Sequence, residues 1–151
     1  MTSDQVKARA AERSAARLGA VQALYQMDIA KTDLSDVLPE FASIRLGEDG
    51  ESGEADFEFL SSLVRGVLSE QRTIDPLIND RLASGWKLSR LDSTLRAILR
   101  AGAYELKHRQ DVPARVTISE YIDVAKAFFD GDEPKVVDGV LDKLAHEFER
   151  V

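Results

Sequence analysis

The sequence predicts an all-α fold, a compact bundle of about seven helices in two lobes. Apolar residues recur at spacings of three and four along most of the chain, no window alternates strictly between apolar and polar, and no Asn-Gly pair marks a hairpin. At 151 residues the chain suits one well-buried core and is short for two ordinary domains. Residues 1–151 are therefore read as one domain, with an N-terminal lobe over residues 1–80 and a C-terminal lobe over residues 81–151.

The first helix is expected from Val6 to Ile29, with Leu18, Val21, Leu24 and Tyr25 on its inward stripe and many alanines favouring the conformation. Asp33 can cap a second helix in which Leu34, Val37, Leu38 and Phe41 recur at three and four. Gly47 to Glu54, rich in glycine and acids, reads as a loop. A third helix places Phe57, Leu60, Val64, Val67 and Leu68 on one face and is expected to end near Gln71 or Arg72. Asp75-Pro76 then looks like a cap followed by proline at the first helical position, where its missing N–H costs nothing, and this short helix stops around Gly85.

Ser89-Arg90-Leu91-Asp92 has the spacing of a capping box, and the helix after it carries Leu95, Ile98, Leu99 and Leu106. Gly102 weakens that helix unless another backbone comes close. Thr117-Ile118-Ser119-Glu120 is a fuller capping box, in which each side chain would accept from the other residue's backbone N–H. Ile118, Tyr121, Ile122, Ala125 and Phe128 would then face inward. After Asp130-Gly131-Asp132-Glu133-Pro134, the last helix presents Val137, Val140, Leu141, Leu144 and Phe148 at regular helical spacing.

Charge narrows the function classes. The formal net charge is -7, but its sign varies along the chain: Lys31 to Leu60 holds 9 acidic and 2 basic residues, whereas Lys87 to Arg115 holds 7 basic and 3 acidic. Gln5 to Ala20 sets Lys7, Arg9, Arg13 and Arg17 against Glu12 alone. An acidic body with two basic stretches can still present a local anion-binding surface. Cysteine is absent, which removes disulfide and thiolate-metal chemistry. The polar start, Met1 to Ala20, lacks the apolar segment of a secretory signal, and no run is long enough to span a membrane, so a cytoplasmic location is expected.

Arg9, Arg13 and Arg17 follow at intervals of four, placing cations about 6 Å apart along one helix face, a spacing that suits successive phosphates of a single strand. The plainer reading is a solvated face that keeps the helix soluble. A second basic group comprises Arg90, Arg96, Arg100, Lys107, His108 and Arg109, of which the last three also suit a helix C-terminus. Lys135 opens the last helix, whose free N–H groups can accept a phosphate. Trp86 is read as packing at the junction between lobes. His108 and His146 lie far apart in sequence, and Asp130, Asp132 and Glu133 lack the alternating ligands of a calcium loop, so no metal site is expected. No nucleophile elbow, phosphate-cradling loop or dinucleotide fingerprint occurs, and the chain is not expected to be an enzyme.

Arg13, Arg17 and Ala20 to Tyr25, then Leu99-Arg100 and Tyr104-Glu105-Leu106, then Asp111-Val112-Pro113, Glu120 and Ala125-Lys126, and finally Lys135, Val137 and Gly139 to Lys143 give the chain a resemblance to the NusB family of bacterial transcription antitermination proteins over nearly its whole length. The resemblance implies a two-lobed helical fold that pairs with NusE, the ribosomal small-subunit protein. It also implies binding of the boxA RNA element within the RNA polymerase antitermination complex of ribosomal RNA operons. On that basis Arg9, Arg13, Arg17, Arg100 and Lys135 would meet RNA with Asp132 beside it, Tyr25, Leu95 and Tyr104 would lie toward NusE, and no cofactor is expected.

The chain departs from the family pattern at Ser14 and Ala15 within the arginine cluster, at Ser119, and at Val136 and Asp138 where many members have Phe and Asn. Losing a ring at 136 removes a stacking platform worth about 1 to 3 kcal/mol, which implies weaker intrinsic RNA affinity and greater dependence on the partner. A protein-only assembly or dimerisation module stays open as an alternative, and homodimerisation is not decided. Certain ribosomal RNA methyltransferases carry a similar helical domain, but no cofactor-binding α/β segment follows it up to Val151, so a self-standing catalyst is not expected.

Overall fold

The computed structural model describes residues 2–31, 33, 36–37 and 56–150. Among them are five α-helices and one 3₁₀ turn, and no strand: α1 (Ser3–Ala30), α2 (Phe57–Arg81), the 3₁₀ turn Leu88–Arg90, α3 (Ser93–His108), α4 (Ala114–Phe128) and α5 (Glu133–Glu147). The all-α class holds. The count falls below seven for two reasons. The helix expected after Asp33 lies mostly outside the described residues, of which Asp36 and Val37 are helical and donate to the Asp33 carbonyl; the loop at Gly47 to Glu54 also lies outside them. The third and fourth expected helices are one element.

That element, α2, continues through Pro76. Leu60, Leu63, Val64, Val67, Ile74 and Ile78 are all buried, so one apolar stripe runs past the proline. Burying an aliphatic side chain contributes about 1.5 to 3 kcal/mol, and two such residues flanking Pro76 offset the roughly 3 kcal/mol that a mid-helix proline costs. Asp75 is accordingly no cap; the cap of α2 is Asp56, whose carboxylate accepts from the Phe59 N–H at 3.0 Å.

The chain forms two compact units, Met1–Arg65 and Gly66–Val151, with the boundary inside α2 rather than near residue 80. In the first unit, α1 starts earlier than expected because Thr2 and Gln5 form a reciprocal capping box: Gln5 N–H donates to Thr2 Oγ1 at 3.2 Å and Thr2 N–H to Gln5 Oε1 at 2.8 Å. Its buried face is made of Ala16, Arg17, Gly19, Ala20, Val21, Ala23 and Leu24, of which the alanines and the glycine allow close packing, while Leu18 is half-buried and Tyr25 is 41% exposed. The backbone N–H of Asp56 donates to the Glu12 carbonyl at 3.1 Å and ties α1 to the start of α2.

In the second unit α3, α4 and α5 pack on one another. Leu95, Ile98, Leu99, Leu106, Tyr121, Ala125, Val137, Val140, Leu141 and Leu144 are buried as their spacing predicts. Phe128 and Leu68 are exposed, against expectation: each stands at the edge of its stripe. Neither expected capping box forms. Asp92, not Ser89, caps α3 by accepting from the Thr94 N–H at 2.8 Å, and Ser89 belongs to the 3₁₀ turn. Helix α4 starts after Pro113, so Thr117 lies inside it with its hydroxyl turned to the core.

Two further contacts position the surface. A Cβ on Gly102 would lie 2.8 Å from Leu141 Cδ1, so the close approach there is by side chains rather than by backbone. Gly85 has φ +93, a conformation that a residue with a Cβ rarely adopts, and it redirects the chain from the end of α2 toward Trp86. Asn79 Oδ1 accepts from the Leu88 N–H at 3.1 Å and fixes the segment beyond.

Candidate nucleic-acid interface

In the first unit the three arginines expected to meet RNA divide by environment. Arg9 is exposed on the first half of α1 and makes no ion pair with a described residue. Arg13 is half-buried, with its guanidinium 4.8 Å from the centroid of the Phe59 ring. Arg17 is only 3% exposed and stands 5.2 Å from the same centroid. A desolvated cation over an aromatic face is worth on the order of 2 kcal/mol. The expected solvent-facing row is therefore corrected at Arg17: a shift from every fourth position to the 3.6-residue turn carries successive side chains around the helix, and position 17 has reached the packed face. Tyr25 lies exposed further along the same helix, available to a partner.

The second unit holds the remaining residues. Arg100 forms a two-pronged pair with Asp75, Nε to Oδ1 and Nη2 to Oδ2, both at 2.9 Å, with its side chain 13% exposed. This geometry is the strong, planar form of the arginine–carboxylate pair. Its guanidinium is thus engaged by α2, and a phosphate would have to compete with Asp75. Leu95 is 1% exposed, so it supports the surface from below rather than forming part of it; the expectation that it lies toward a partner is corrected on that ground.

Tyr104 is half-buried, its ring lying across Gly66 so closely that a Cβ there would overlap it. On its other side the His108 ring is 4.7 Å away, centroid to centroid. Glu70 binds His108 and accepts from Lys107 Nζ at 3.2 Å. Burial would raise the Glu70 carboxyl, but the hydrogen bonds and positive charge of His108 and Lys107 outweigh it and hold it below the usual carboxylate range. The Tyr104 hydroxyl is pushed up by burial first and by the Glu70 charge second, with Arg109 opposing, so it remains a neutral donor at physiological pH.

A carboxyl depressed in the folded state stabilises the fold above its unfolded value, and that contribution disappears as pH falls through the folded one. Thermal unfolding followed from pH 6 down to about pH 3 should therefore show a steeper acid loss for the native chain than for Glu70→Gln. Parallel acid branches would mean that Glu70 is not coupled to folding.

Asp132 and Lys135 are brought together, at the start of α5. They line a groove of about 360 Å³ with Trp86, Val136, Gly139 and Lys143. Asp132 occupies the cap position and makes no capping hydrogen bond. Positions 135, 139 and 143 share a helix face at steps of four, which places two lysines on either side of a glycine. Arg81 borders the same groove, where it pairs with Glu147, and Lys143 Nζ reaches its carbonyl at 3.5 Å. Reasoning from sequence placed Trp86 between lobes and used Gly139 and Lys143 only for the family resemblance, with no site role. The available signal was the step of four from Lys135, together with a glycine in mid-helix that no core contact requires: a Cβ on Gly139 would meet nothing within 4 Å.

Among the described residues no helix is long and apolar enough to cross a membrane, and no group of three His, Asp or Glu side chains could hold a metal ion.

Comparison with known proteins identifies the family. The profile of the NusB family matches residues 14–146. The transcription antitermination protein NusB of Bartonella henselae is 52% identical over 137 residues, covering 89% of this chain and 87% of its own length. That of Sinorhizobium fredii is 52% identical over 148 residues, covering 96% and 92%. Among solved structures, T. maritima NusB superposes with a TM-score of 0.76 at 33% identity, covering 89% of this chain and 91% of that one. A chain from a crystal structure of the antitermination factors NusB and NusE in complex with double-stranded RNA gives a TM-score of 0.75 at 25% identity, covering 90% and 97%. With a family profile over residues 14–146 and relatives 52% identical over nearly the whole length, the chain belongs to the NusB family.

Proposed function

We propose that this chain is an RNA-binding transcription antitermination factor that pairs with NusE and binds boxA RNA, supporting transcription of ribosomal RNA operons by RNA polymerase. The observation that carries the reading is the 52% identity to antitermination proteins NusB over nearly the whole length. Exposed Arg9 on α1 and the lysine-flanked groove on α5 supply cations for a phosphate backbone, and exposed Tyr25 with half-buried Tyr104 supplies aromatic surface for a protein partner. The protein acts in the cytoplasm by holding two macromolecules together rather than by catalysis, and it requires no cofactor. Two modest surfaces on one chain raise the effective concentration of each partner for the other.

Fluorescence anisotropy of a labelled boxA-like strand, with and without NusE at two salt concentrations, tests the reading. Neutralising Z phosphates of a single strand gives a slope of about -0.7Z in log affinity against log salt. Binding that tightens with NusE and weakens with salt supports it. Binding to NusE with no RNA signal at either salt would make the chain a protein-only assembly module.

The arginines should separate in the same assay. Arg9→Ala is expected to weaken RNA binding and flatten the salt slope by about 0.7 while leaving the unfolding transition in place. Arg17→Ala should lower the unfolding midpoint through the lost contact with Phe59, with a smaller direct effect on the salt slope. A loss of slope for Arg17→Ala as large as for Arg9→Ala, without loss of stability, would reverse this division.

A further inference from the structure

Two cations converge on one aromatic ring in the first unit, where Arg13 and Arg17 stand over Phe59 at 4.8 and 5.2 Å from its centroid. The place of that ring is fixed. Phe59 is 2% exposed, its N–H donates to Asp56 Oδ1 at 3.0 Å, and its carbonyl accepts from Ser62 Oγ at 2.8 Å. The Asp56 N–H in turn donates to the Glu12 carbonyl at 3.1 Å, which ties the start of α2 to the residue just before Arg13 and keeps ring and arginine in one register. The two arginines use the ring differently. Arg17, 3% exposed, is enclosed, whereas Arg13 is half-buried and stands one helical turn beyond exposed Arg9, about 6 Å along the axis. The attraction of a ring face for a cation is electrostatic and is not tied to any one of the five N–H donors of a guanidinium. Contact with Phe59 is therefore compatible with a phosphate at the edge of the Arg13 guanidinium.

Resting on the RNA-binding reading above, we propose that Phe59 is a positioning residue: its ring holds the Arg13 guanidinium in place for a phosphate of the bound RNA, with Arg17 bracing the ring from the buried side. Arginine has one of the largest stores of rotamer freedom, and a cation that ranges through solvent must lose that freedom when a phosphate arrives. Arg13 has given up part of it already in the folded chain. Exposed Arg9 keeps it, so the two cations contribute alike in charge and unlike in ordering. The ring also favours arginine over lysine at position 13, because a compact, strongly hydrated ammonium has no plane to lie against it.

The affinity of the full chain for a labelled single-stranded boxA-like RNA is measured by anisotropy over a series of salt concentrations, with NusE present. Arg13→Ala removes a phosphate contact and should flatten the slope of log affinity against log salt by about 0.7. Phe59→Leu keeps the cation and loses only its support. Affinity should then fall by roughly 2- to 13-fold at every salt, the range for ordering one long side chain, with the slope unchanged. In an Arg13→Ala background the same replacement should change affinity by less than about 2-fold. A chain with a fluorinated phenylalanine at position 59, which keeps the shape of the ring and weakens the negative potential of its face, should fall between the native chain and Phe59→Leu. That second variant carries the test if Phe59→Leu fails to fold, and circular dichroism at the binding temperature verifies the helicity of each chain.

Native RNA affinity in the folded Phe59→Leu or fluorinated chain would overturn the positioning role and leave the RNA-binding function standing. An equal loss with and without Arg13 would also overturn it, because Phe59 would then act through the fold rather than through that arginine. An RNA that gives no anisotropy change with the native chain and NusE would remove both the function and the positioning role.

Discussion

Glu105→Ala is expected to lower the unfolding free energy by about 2 to 6 kcal/mol, because a buried donor left without its partner costs roughly 1 to 3 kcal/mol and two such donors would be stranded. Glu105 is fully buried in α3. Its Oε2 accepts from the Thr117 hydroxyl at 3.0 Å and its Oε1 from the Tyr121 hydroxyl at 2.9 Å, both on α4. Thr117 and Tyr121 are themselves fully buried, so water cannot replace the lost acceptor without opening the core. Urea titration read by circular dichroism measures the effect, and Glu105→Gln should recover part of it, since an amide oxygen can still accept one of the two bonds. If Glu105→Ala unfolded within about 1 kcal/mol of the native chain, the α3–α4 contact would be held by apolar packing alone.

Gly66→Ala is the second large effect, and it acts at a distance from any ligand. The added methyl would occupy the space now filled by the Tyr104 ring, and packing beside Glu70 and His108 restricts where that ring can go. Overpacking of this kind costs typically 1 to 3 kcal/mol. The ring must move, so NusE binding should weaken together with stability, whereas Tyr104→Ala alone should weaken NusE binding with a smaller loss of stability. The double variant isolates the clash: if the methyl and the ring collide, Gly66→Ala should cost far less in a Tyr104→Ala background, and simple additivity of the two changes would disprove the collision. Isothermal titration with NusE and thermal unfolding give the two readouts.

The periodic part of this architecture is legible in the sequence. Leu95, Ile98 and Leu99 in α3, and Val137, Val140, Leu141 and Leu144 in α5, are buried where a 3.6-residue period puts them. Local punctuation was misleading for a consistent reason. Pro76 and the Thr117–Glu120 spacing are signals read over four residues, while the outcome was decided by contacts made across the unit: an apolar stripe that carries α2 past the proline, and a carboxyl twelve residues away that claims the Thr117 hydroxyl. The same limit applies to the surface. Asp132 and Lys135, close in sequence, lie in one groove as their spacing suggests. Trp86 joins them only through the turn at Gly85, and the pairing of Arg100 with Asp75 spans 25 positions, which no window of helical length could register.

The division within the α1 arginines also sets how freely each position can drift over generations. Arg9 is exposed, and a lysine there would keep the charge at little structural cost. At Arg17 the planar guanidinium is enclosed over Phe59, and a lysine there would bring a compact, strongly hydrated ammonium into a space shaped for a flat ion. Two arginines two turns apart on one helix thus differ in what a lysine would change, nothing but the shape of an exposed cation at one and a packed contact at the other.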